Sequence, residues 1–128
     1  MVDFTGVQIL DSYALLDDKV WEEFKKFIGE DGDCLVKELI DQYLIEAPRL
    51  IDYMDNDLRV RDIMSLTKHV HTLKGRSGQL GAERIANLCR SIEDAILEGQ
   101  YTEISPLFEN LKEAYRRSET VIRQKASI

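Results

Sequence analysis

The chain has 128 residues, 44% hydrophobic and 32% charged, a balance that suits one globular domain around a single core. No stretch approaches the roughly 20 apolar residues of a membrane span. The N-terminal Met-Val-Asp-Phe-Thr-Gly lacks the basic region and apolar core of a signal peptide, so a cytoplasmic protein that does not engage membranes is expected. A net charge of −7 argues against nucleic acid as a partner.

Taken in order, residues 1–18 carry Val7, Ile9, Leu10, Tyr13, Leu15 and Leu16 without clean periodicity. They read as an extension that packs on a body formed by 19–128. Asp17 or Asp18 can cap a first helix to about Ile28, with Val20, Trp21, Phe24, Phe27 and Ile28 at helical spacing. Gly29, Asp31 and Gly32 mark a turn. Asp33 then opens a long second helix to about Asn56, whose stripe runs through Val36, Leu39, Ile40, Tyr43, Leu44, Ala47, Leu50, Ile51 and Met54. Pro48 lies inside it and predicts a kink near Leu44–Ala47.

Asn56-Asp57 reads as a short connection to a third helix over about Val60–Gly78. A fourth opens at Ala82 or Glu83 and ends before Gly99, with Ile85, Leu88, Cys89, Ile92 and Ile96 inward. A fifth spans about Ser105–Gln124, with Pro106 acceptable in its first turn. No strand pattern competes, and the connections are short. The prediction is all-α: an antiparallel up-down-up-down four-helix bundle, with the short N-terminal helix capping one end. A bundle of this length can bury its own core, so a monomer is expected.

The third helix holds the chemistry. Ile63, Leu66, Val70, Leu73, Ser77 and Leu80 form one stripe, and at 100° per residue His71 stands roughly 140° from its middle. Its neighbours three positions away are Lys68 and Lys74; those four and seven positions on are Gly75 and Gly78. The two glycines either clear space for something large to reach the imidazole or begin to end the helix, with Gly81 as its stop. Ser77 falls on the inward stripe and reads as packing between helices. His69 and His71 cannot share an ion, since residues two apart on a helix point about 200° from each other; His69 reads as a surface or boundary residue. Cys34 and Cys89 lie on or beside apolar stripes as small hydrophobes, and no cysteine or histidine spacing suggests a metal site.

Between Leu58 and Arg90, seven basic residues stand against Asp62 and Glu83 alone, a local charge of +5 in a chain of −7. That asymmetry points to an anionic partner or substrate near His71. An exposed neutral imidazole is also a competent nucleophile near neutral pH. No P-loop, dinucleotide fingerprint or nucleophile elbow is present, and the helices leave no room for an ATP-binding kinase domain.

The run His71-Thr72-Leu73-Lys74-Gly75-Arg76-Ser77, with Gly81 following, resembles the signature of the histidine-containing phosphotransfer (HPt) domain: His-x-Leu-Lys-Gly-x-Ser/Ala, then a Gly. Glu46-Ala47-Pro48 adds to the likeness, which covers roughly residues 19–124. The resemblance implies a bundle fold and a phosphorelay carrier without catalysis of its own. His71 would take a phosphoryl group from one receiver-domain aspartate and pass it to another. The partners implied are response-regulator receiver domains and a hybrid histidine kinase. No cofactor of its own is expected, since the receiver supplies the acidic pocket and Mg²⁺.

On that reading Lys74 and Lys68 would stabilise the phosphoryl oxygens. Gly75 and Gly78 would admit the receiver's loops, and Thr72, Arg76, Phe27 and Ile28 would border the docking surface. HPt domains often place a Gln 22 residues beyond the histidine to hydrogen-bond it; here that position is Glu93. Alternatives are an adaptor that docks receivers, or a receiver phosphatase, neither using phosphohistidine.

Overall fold

The computed structural model describes residues 14–27 and 33–126, without the side chains of Lys25, Phe27, Asp33 and Cys34. Among the described residues it consists of helices joined by short turns: α1 Asp18–Phe27, α2 Asp33–Val60, α3 Ile63–Leu80, α4 Glu83–Leu97 and α5 Ile104–Ala126, with a 3-10 turn at Tyr101–Glu103. The four long helices α2 to α5 run up, down, up and down. Each packs on the next, and α5 returns beside α2.

Helix ends follow from side-chain and backbone caps. Asp17 accepts a hydrogen bond from the Lys19 amide at 2.9 Å and opens α1. Asp62 does the same for α3 through the Ser65 amide at 3.1 Å. α3 stops where Gly81 takes φ +73°, with Gly81 N donating to Gly78 O and Ala82 N to Ser77 O. α4 stops the same way at Gly99, φ +70°.

The α2–α3 turn departs from the sequence prediction. α2 runs on to Val60, uninterrupted across Pro48, and the connection is Arg61-Asp62, not Asn56-Asp57. Asn-Asp has turn chemistry, but the apolar stripe continues through Leu58. The Asp57 carboxylate also has a partner on α3, so the helix is free to extend. Arg61 then takes the left-handed position, φ +58°.

The core is a column of side chains at most 2% exposed, among them Met54, Leu66, Leu73, Ile85, Ile92, Phe108, Leu111 and Ile122. Full burial of such a side chain contributes roughly 1.5–3 kcal/mol. A polar bond crosses it: the Tyr43 and Ser77 hydroxyls lie 2.8 Å apart, which fixes Ser77 as a contact between α2 and α3. Burial pushes the Tyr43 hydroxyl far above its ordinary value, so it stays neutral. Cys89 is a free, fully buried thiol, likewise pushed up by burial; the Cys34 side chain lies outside the described residues.

α1 covers the end of the bundle where α3 turns into α4. Trp21 is 1% exposed, and the Asp17 amide donates to Gly81 O at 2.7 Å. A Cβ on Gly81 would stand 2.9 Å from that of Val20, so α1 needs the glycine for close approach as well as for its φ. Leu16, just ahead of α1, is buried in the same core.

Candidate functional site

Leu66, Val70, Leu73, Ser77 and Leu80 are the buried residues of α3. With that stripe facing inward, the helix turns His71 outward, and its side chain is 73% exposed. Among the described residues it bonds across to α4, where Glu93 Oε2 lies 3.2 Å from Nδ1. The other oxygen of the same carboxylate accepts from Lys74 Nζ at 2.6 Å. Glu93 can bridge the two because it flanks the buried stripe of α4, next to Ile92.

Burial would raise the Glu93 carboxyl, but hydrogen bonds and charge from Lys74 and His71 outweigh it and hold the group below its ordinary value. It is therefore ionised near neutral pH and can only accept. The Nδ1 that meets it must therefore donate, and in a neutral ring so held Nε2 is the nitrogen with a free lone pair.

The glycines do not end the helix. Gly75 and Gly78 are both inside α3, and a Cβ built on either meets nothing within 4 Å. The surface beside and below the imidazole is thus bare backbone. It leads into a shallow groove of about 380 Å³ between α1, α3 and α4, bordered by Asp17, Val20, Gly78, Glu83, Asn87 and Arg90.

The exposed imidazole of His71, with the Glu93 carboxylate and Lys74 beside it, lies inside a stretch that matches a known family. Residues 38–121 match the family described as the Hpt domain. The chain belongs to the Hpt domain family. It is 26% identical over 90 residues to the phosphorelay intermediate protein YPD1 of Candida albicans, across 69% of this chain and 47% of that protein. It is 28% identical over 83 residues to histidine-containing phosphotransfer protein 1 of Arabidopsis thaliana, across 63% and 49% respectively. The matched stretch spans about half the length of these curated relatives. The crystal structure of histidine-containing phosphotransfer protein B (HptB) from Pseudomonas aeruginosa PAO1 superposes with a TM-score of 0.78 at 22% identity. That match covers 91% of this chain and 97% of that one, and the two share the fold.

The other site residues of this Hpt domain are placed as follows. Lys68, one turn before His71, is exposed and makes no ion pair among the described residues. The Thr72 hydroxyl donates back to Lys68 O at 3.0 Å and is half-buried. Arg76 turns to the other side of α3 and pairs with Glu46 of α2 at 3.2 Å, so the structure does not bring it to the imidazole. Ile28 and the Phe27 side chain lie outside the described residues.

One pairing was not read from the sequence. His69 Nδ1 lies 2.6 Å from Asp57 Oδ2, and the Tyr53 ring packs on the imidazole with centroids 5.1 Å apart. His69 is thus a tie between α2 and α3. The signal was present: Asp57 continues the stripe three residues after Met54, where a carboxylate needs a partner.

Proposed function

We propose that this Hpt domain is a phosphoryl carrier that accepts and returns a phosphoryl group at Nε2 of His71. Nε2 attacks the phosphorus of an acyl phosphate on a receiver-domain aspartate. The N–P bond forms as the P–O bond breaks, and the aspartate leaves as a carboxylate. Glu93 holds Nδ1 and orients the ring, so the lone pair is on the exposed side. Lys74 keeps a cation beside the phosphoryl oxygens. The bare backbone at Gly75 and Gly78 gives the receiver's loops room to close on the imidazole. The receiver contributes the acidic pocket and Mg²⁺; this chain contributes the nucleophile and its support.

The observation that carries the reading is the polarised imidazole: exposed at one nitrogen and bound to an ionised carboxylate at the other. The names of the relatives, a phosphorelay intermediate and a histidine-containing phosphotransfer protein, support the same chemistry. Response-regulator receiver domains, and upstream of them a hybrid histidine kinase, are the partners it implies.

The test is transfer from a receiver domain charged with a small acyl phosphate to the wild-type protein and to His71→Gln. Acid-labile, alkali-stable label on the wild type and none on the variant is the expected result. Binding of receivers without label would point instead to a docking adaptor. Faster loss of inorganic phosphate from the receiver, unchanged in the variant, would point to a phosphatase.

A further inference from the structure

Met64 on α3 and Leu97 on α4 are 86% and 83% exposed, the most exposed large apolar side chains among the described residues. Exposed apolar residues scattered singly are ordinary. These two share a face with His71. Met64 stands seven residues before it, about 20° away around α3 and about 10 Å along the axis. Leu97 stands four residues after Glu93, about 40° around α4 and about 6 Å along. Glu93 itself meets His71, and the two helices run in opposite directions, so both displacements lead to the same end of the bundle, away from α1. Tyr101, also exposed, is in the 3-10 turn at that end. Thr67 stands between Met64 and His71, with its hydroxyl turned back to Ile63 O at 2.8 Å. At the other end of the face is the groove bordered by Asp17, Glu83, Asn87 and Arg90. The imidazole therefore stands between a polar end and an apolar one.

We propose that Met64 and Leu97 form an apolar anchor for the receiver domain, which meets them with apolar side chains of its own beside the aspartyl phosphate. The inference rests on reading His71 as the phosphoryl acceptor. Transfer needs the receiver's aspartyl phosphate against Nε2, so the receiver must cover the ring. A standard interface takes about 800 Å² from each partner, a patch about 16 Å in radius. Centred on His71, such a patch takes in both Met64 and Leu97. Because the two ends of the face are unlike, a receiver anchored at the apolar end docks one way round, with its remaining loops over the glycines and the polar groove. A second copy of this chain on the same face would seal the imidazole off, whereas a receiver uses it.

The fold does not hold these side chains in place. At such exposure a change to glutamine keeps the length and the helix propensity, removes the apolar surface and leaves stability nearly unaltered. An effect on transfer therefore reads contact with the partner.

The experiment takes the fastest of a panel of receiver domains, each charged with a small acyl phosphate. It measures transfer to wild type, Met64→Gln, Leu97→Gln and the conservative Leu97→Met, with phosphoramidate as a second, small donor. Each glutamine variant should lower kcat/KM with the receiver on the order of tenfold, the cost of losing one well-buried apolar contact. The loss should fall on KM, since docking is equal before and during transfer. Leu97→Met should keep most of the rate, and all variants should react with phosphoramidate as wild type does. Unchanged kcat/KM in both glutamine variants would overturn the inference, as would an equal loss with phosphoramidate, which would place the fault in the imidazole. A wild-type dimer in sedimentation that Leu97→Gln dissolves, with transfer no slower, would overturn it in favour of a second copy. No label on wild-type His71 from any receiver would overturn the carrier reading itself, an outcome distinct from variants that match wild type.

Discussion

The Asp57 carboxylate lies 2.6 Å from Nδ1 of His69, and this bond ties α2 to α3 two residues before the imidazole of His71. The two histidines of the chain point about 200° apart around α3 and have opposite employment. His69 is 20% exposed against an Asp57 that is 7% exposed, and Tyr53 covers its ring; His71 stands in solvent. His69→Ala should leave a buried carboxylate without its partner and cost about 2–3 kcal/mol, read as a lower urea midpoint. Phosphoryl acceptance per folded molecule should be unchanged, because His71 remains. A variant of full stability that had lost acceptance would overturn this division of roles.

What was legible in the sequence was whatever one helix decides alone. The stripe from Leu66 to Leu80 sets which way α3 faces, so the exposure of His71 followed from spacing. Gly81 and Gly99 announced their stops because L-residues rarely take the left-handed conformation. Contacts between helices were harder, since they depend on the register of one helix against the next. The Arg76–Glu46 and His69–Asp57 pairs both join α3 to α2, and neither partner marks the other in the chain. The Glu93–His71 bond was anticipated only through family resemblance. The Glu93–Lys74 pair, joining two residues already singled out, became visible only once α3 and α4 were side by side. The Arg61 turn was missed because an arginine occupies a place where a glycine would have announced it.

Glu93 should also leave a mark on stability against pH. Its carboxyl sits below its ordinary value in the folded protein, so the unfolded chain binds the proton more readily. The stabilisation it brings is complete above the ordinary glutamate range and disappears as pH falls through the depressed folded value. The stability gap between wild type and Glu93→Gln, measured by urea unfolding at several pH values, should be widest near neutrality and close under strong acid. Lys74→Met should narrow the neutral gap, since it removes the closer of the two bonds. A gap independent of pH would mean that the carboxylate gains nothing from its partners.

Two of the left-handed turn positions, Arg61 and Gly81, predict opposite effects. Arg61 holds φ +58° and carries a Cβ into a conformation that costs L-residues about 1–2 kcal/mol. Arg61→Gly should therefore raise stability by up to about 1 kcal/mol, less what the more flexible unfolded chain takes back. Gly81→Ala should lower it by about 1–2 kcal/mol from the backbone alone, and by more because its methyl meets Val20. Thermal melts of the two variants against wild type read both signs. A stabilised Gly81→Ala protein would contradict the close approach of α1 to the α3–α4 turn.

Gly75 and Gly78 set stability against access. Both are in the interior of α3 with open space where a side chain would stand, so nothing in the fold excludes alanine. Each Gly→Ala change should raise stability by roughly 0.5–1 kcal/mol through helix propensity. If the bare backbone exists to let a receiver close on His71, bulk there should slow transfer even as the fold gains stability. Gly75→Gln and Gly78→Gln should lower kcat/KM for transfer from a receiver. Reaction with phosphoramidate, small enough to reach the ring past a side chain, should be unaffected in both. Equal loss with the small donor would place the fault in the imidazole and not in docking. No loss with either donor would make the two glycines neutral substitutions on a solvated face.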